Sequence, residues 1–116
     1  MDIKVVNENL NNFLQTHKIA IWPIIDGIAK WIGRLSILTD DAIYLVDSSP
    51  VKQGMVLHGK TVHAPDIIVK KDIRMVLITT GSTVGTEIKN QIQKDFPNVK
   101  IVKPIGMLFF SKLLDV

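Results

Sequence analysis

Ile43-Tyr44-Leu45-Val46-Asp47-Ser48-Ser49-Pro50 joins a short apolar run rich in β-formers to an acid and a turn. The run reads as a buried strand that stops at the edge of a sheet, because Ser-Ser-Pro cannot continue a ladder. An acid in that place has two readings. In nucleotide-binding α/β folds an acid at the end of the second strand, roughly 20 residues beyond the first loop, accepts hydrogen bonds from ribose hydroxyls. An Asp also bonds the backbone two residues on and so caps a turn of its own.

Upstream, Lys18-Ile19-Ala20-Ile21-Trp22-Pro23 is nearly all apolar after its opening charge, as expected of a parallel strand covered on both faces. Ile25, Ile28, Ala29, Ile32 and Leu35 then recur at helical spacing, so strand, helix and strand follow one another as in a βαβ unit. Before them, Ile3, Val6, Leu10, Phe13 and Leu14 form the stripe of an amphipathic leading helix within residues 1–16.

Downstream, residues 53–57 and 61–63 read as two short extended pieces separated by His58-Gly59-Lys60, a small hairpin, followed by a turn or two of helix at residues 64–68. Residues 74–79 form the clearest strand. A helix from 83 to 95 follows, expected to bury Val84, Ile88 and Ile92 and expose Lys89, Asn90, Gln93 and Lys94. Residues 99–102 supply a last strand after Phe96-Pro97-Asn98. This order predicts an α/β fold: a three-layer, Rossmann-like, open and mostly parallel sheet with helices on both faces. The tail at residues 105–116, with Leu108, Phe109, Phe110, Leu113 and Leu114, is too apolar for a solvated end.

The chain has 116 residues, the size of one domain. It carries 14 Lys and Arg against 11 Asp and Glu, a net charge of +3, with Lys70-Lys71 the only adjacent basic pair. Nucleic-acid surfaces cluster their charge, so none is expected here. The chain has no cysteine, which excludes a disulfide framework, a thiol nucleophile and a thiolate metal site. No apolar run is long enough to span a bilayer and no signal core opens the chain, so a cytoplasmic location is expected.

Three loops matter if ligands bind outside the carboxyl ends of the strands. The first, Trp22-Pro23-Ile24-Ile25-Asp26-Gly27, lacks the glycines of a pyrophosphate-binding turn, and Asp26 would repel a phosphate. The second holds Asp47 and Ser48. The third, Thr80-Gly81-Ser82-Thr83-Val84-Gly85-Thr86, brings two glycines and four hydroxyls to the start of a helix, where backbone amides suit an anion or a hydroxyl caps the helix end. Asp47, Ser48, Thr80, Gly81, Ser82 and Thr83 are therefore the candidate ligand-binding residues. Trp22 joins them as a ring at a strand end able to stack on a ligand, against the simpler reading of a core residue. His17, His58 and His63 lack an accompanying acidic cluster, so no metal is expected. No nucleophile elbow or acid–base pair marks a catalytic centre, and neither a catalytic residue nor a cofactor is assigned.

The run from Val46 to Pro65, with its strand ending in Asp47, its Pro50 turn, Lys52-Gln53-Gly54 and Gly59, resembles the Rossmann-like C-terminal domain of bacterial sugar C-methyltransferases. The likeness continues through Thr86-Glu87-Ile88-Lys89-Asn90-Gln91-Ile92 to Pro104, covering roughly residues 18 to 104. A weaker similarity exists to the nucleotide-sugar-binding N-terminal domain of sugar acyltransferases. Both relatives bear glycine in the first loop, where this chain has Pro23 to Asp26. The resemblance implies a non-catalytic binding module linked to nucleotide-sugar or surface-polysaccharide biosynthesis, an accessory domain of a sugar-modifying transferase without its methyl-transferring part. The first alternative is a docking or oligomerisation domain with a vestigial pocket, meeting a partner domain or a second copy through the leading helix or the 108–114 tail. The second is a fragment of an NAD-linked oxidoreductase or epimerase, disfavoured by the missing glycines.

Overall fold

A computed structural model describes residues 17–25, 41–57, 59–80 and 83–102. The leading helix, the helix expected over residues 25–35 and the apolar tail lie outside the described residues.

The uninterrupted apolar runs become the middle of one sheet. Strands β1 (Ile19–Trp22), β2 (Ile43–Val46), β3 (Val56–Leu57), β4 (Lys60–His63), β5 (Met75–Ile78) and β6 (Lys100–Val102) lie in the spatial order β3-β4-β2-β1-β5-β6. All neighbours are parallel except β3 and β4, which form an antiparallel hairpin. This mixed, mostly parallel sheet with helices makes the chain an α/β protein. β1 is central, pairing Ile19 with both Ile43 and Met75. Every side chain of β1 and of β5 is buried, as a strand covered on both faces requires.

Among the described residues two helices pack on one face. These are α1 (Ile67–Lys70) and α2 (Thr83–Asp95). Ile67 and Ile68 of α1 and Ile88 and Ile92 of α2 join Ala20, Trp22, Val46, Val76 and Ile78 of the sheet in one buried cluster. The alternate residues Ile19, Ile21, Ile43, Leu45, Val62 and Leu77 point to the other face and are equally buried.

Two local expectations are corrected. Lys60 belongs to β4, pairing with Leu57, and so is not part of the hairpin connection. Val84 is 49% exposed, and the buried face of α2 is Gly85, Ile88 and Ile92. The cause is close approach: a Cβ at position 85 would overlap the Thr80 carbonyl oxygen, so only glycine lets α2 lie this near the end of β5.

The exit from α1 has the hydrogen bonds of a Schellman ending. Ile73 N–H donates to Ile68 O (2.9 Å), Asp72 N–H donates to Val69 O (3.2 Å), and Asp72 takes φ 53° where glycine is usual. Asp72 also forms an exposed ion pair with Arg74 at 3.1 Å. Asp72→Gly is expected to relieve the left-handed conformation and raise stability by about 0.5–1 kcal/mol, less a few tenths for the exposed ion pair. A higher urea midpoint with an unchanged slope is the expected result.

Candidate functional site

The five parallel strands end on one edge of the sheet, where Asp47, Ser48 and Thr80 follow β2 and β5. The chain runs outward from β1 through β2 to β4, then returns to the other side of β1 to form β5 and β6. The order therefore reverses between β1 and β5, the place where open α/β sheets accept ligands.

At this reversal the strands stay paired past their ends. Thr79 N–H donates to Trp22 O (3.1 Å), and Thr79 Oγ1 donates to Pro23 O (2.6 Å) across 56 residues of sequence. The Trp22–Pro23 peptide is cis. Trp22 is fully buried within the core cluster, and its indole Nε1 has no hydrogen-bond partner among the described residues. It shares that cluster with Ala20 and Val46.

Asp47 ends β2 as expected and is only 5% exposed. Oδ2 accepts the Ile24 N–H at 2.9 Å, and Oδ1 accepts the Ser49 N–H at 2.8 Å. The second bond is the local turn expected of an Asp before Ser-Ser-Pro. The first is long-range and ties the loop after β1 to the end of β2. Ser48 is exposed at the rim beside it.

Lys52 and Gln53 complete the arrangement, and no periodicity in the sequence points to either role. Lys52 Nζ donates to Ile24 O (2.7 Å) and lies 3.7 Å from Asp47 Oδ2, with 40% of its side chain exposed. Gln53 Nε2 donates to Asp47 O (2.9 Å). Both polar backbone groups of Ile24 are thus satisfied by side chains from the turn after β2.

Gly54 makes the geometry available. With φ 88° it occupies the third position of a turn closed by Met55 N–H on Lys52 O (3.1 Å), a place where a left-handed residue favours glycine. Gly54 and Met55 together oppose Val62, through Gly54 N–H on Val62 O and Met55 O accepting Val62 N–H, which is a glycine β-bulge. The Lys52-Gln53-Gly54 run thus has a structural reason for each of its residues.

The third loop meets the same edge. Thr80 follows β5 and is partly exposed, and Thr83 opens α2 on the surface. Gly81 and Ser82 lie outside the described residues. Strand spacing sets the ends of β2 and β5 about 10 Å apart, with β1 between them. Asp47, Thr80 and Thr83 therefore share one edge, while Trp22 lies beneath it.

His58 lies outside the described residues. His63, in β4, packs its ring against Tyr44 at 6.0 Å between centroids. Among the described residues no three His, Cys, Asp or Glu side chains are grouped to hold a metal ion. No helix among them is long and apolar enough to cross a membrane. Compared with protein families, with curated proteins and with solved structures, the chain matches none of them.

Proposed function

We propose that the chain is a non-catalytic binding module of three-layer, Rossmann-like architecture that serves nucleotide-sugar or surface-polysaccharide biosynthesis. The observation that carries this reading is the strand order, which reverses beside β1 and sets Asp47, Ser48, Thr80 and Thr83 on the carboxyl edge. The likeness of residues 46–65 to the C-terminal domain of sugar C-methyltransferases supplies the ligand class. The start of α2, thirteen residues long, offers backbone amides suited to phosphate oxygens. In this reading Asp47 shapes the floor of the edge, since both of its oxygens already hold backbone N–H groups.

Titration with uridine, guanosine and thymidine diphosphate sugars is the test. Amide shifts centred on Thr80, Thr83 and Ser48, saturating with a dissociation constant in the micromolar to millimolar range, are the expected outcome. No shift at these positions with any of the panel would remove the ligand from the proposal.

A second reading, a docking or oligomerisation domain with a vestigial pocket, is favoured by one particular observation. The loop after β1 has spent the polar groups of Ile24 on Asp47 and Lys52, and Thr79 closes the reversal against Pro23. A silent titration together with concentration-dependent mass in solution would favour it over the first.

A further inference from the structure

We infer that the turn after β2 is a clasp that sets the conformation of the loop after β1, so that the floor of the carboxyl edge is fixed before any ligand arrives. The loop's own side chains offer no partners to its backbone groups. Pro23-Ile24-Ile25 contains no glycine and no polar side chain, yet it must leave a buried strand and turn at the sheet edge. A buried peptide group needs partners, and Ile24 is 6% exposed.

The partners come from far along the chain. Asp47 Oδ2 accepts the Ile24 N–H across 23 residues, and Lys52 Nζ donates to the Ile24 carbonyl across 28. Donor and acceptor of one residue are thereby held from opposite chemical sides by a carboxylate and an ammonium that lie 3.7 Å apart. Gln53 holds the Asp47 carbonyl, and Ser49 N–H holds the second carboxylate oxygen, so the clasp is itself braced. Hydrogen bonds to charged groups are stronger than neutral ones, and Asp47 is shielded from water. Lys52 is a positioning residue here: its side chain is partly open to solvent, and its ammonium donates to a backbone carbonyl.

Amide hydrogen exchange on the full chain without ligand tests this independently of the nucleotide-sugar reading. Lys52→Met keeps the length of the stem and removes the donor. The expected result is exchange at the Ile24 amide accelerated about tenfold, with amides inside β2 and β5 unchanged, because opening becomes local. Lys52→Arg, which can still donate to the carbonyl, is expected to restore most of the protection. Gln53→Leu, which releases the Asp47 carbonyl, is expected to accelerate the same amide to a smaller extent and serves if Lys52→Met does not fold. Unchanged exchange at Ile24 in both truncations, or acceleration spread evenly over the sheet, would overturn the clasp.

Discussion

Asp47→Ala is expected to be the most damaging single truncation on the carboxyl edge, lowering stability by about 3–4 kcal/mol. Two backbone N–H groups lose their acceptor, and that of Ile24 is left in a buried setting. Hydrogen bonds to charged groups contribute about 1.5–3 kcal/mol each, and an orphaned buried donor retains its full desolvation cost. Lys52 also loses the carboxylate 3.7 Å away, but its partial exposure makes that loss small. In a domain of this size the midpoint of thermal unfolding falls by about 10–15 °C. Asp47→Asn retains one acceptor and sets an amide N–H against the other backbone donor, so its loss is expected to be about half to two thirds as large. Circular dichroism during heating measures both. A fall of under about 1 kcal/mol for the alanine variant would show that solvent replaces the carboxylate at Ile24.

Gly85→Ala is expected to cost about 3 kcal/mol, although alanine is the better helix former by about 1 kcal/mol. The new methyl group would overlap the Thr80 carbonyl oxygen and approach its carbon at 3.0 Å. Neither atom belongs to a flexible side chain, so α2 must lift from the end of β5 or the Thr80 peptide must turn. Lifting the helix loosens Ile88 and Ile92, which are 6% and 0% exposed. The control is Val84→Ala, at a position 49% exposed, which should change stability by less than about 0.5 kcal/mol. Equal urea midpoints for the two variants would mean that α2 lies farther from β5 than the geometry here requires.

These two sites also separate what the sequence made legible from what it did not. The strands at Ile19–Trp22, Ile43–Val46 and Met75–Ile78 stand out because a parallel strand buried on both faces is written as an unbroken apolar run. The span of α2, Thr83–Asp95, follows from its turn signals and its 3.6-residue period. The identity of its inward face does not. Glycine carries no hydropathy signal, so a reading by apolar spacing selects Val84 and passes over the residue that the approach to Thr80 demands. Asp47 was legible as an important corner from its place at a strand end. Its engagement with Ile24, and the parts of Lys52 and Gln53, were not, since hydrogen bonds between residues 23 and 28 apart leave no local pattern. Trp22 offered two readings by type alone, and only its complete enclosure assigns it to the core.

At the opposite rim from β6, the sheet ends in a two-residue strand that a left-handed glycine has already bent. Val56 there is 63% exposed, and on a longer, flatter border such a side chain would invite another molecule to extend the ladder. A border this brief and this twisted offers a newcomer too few consecutive hydrogen bonds to compensate for the freedom it would surrender. This border therefore limits propagation by geometry, without needing a charged gatekeeper at Val56.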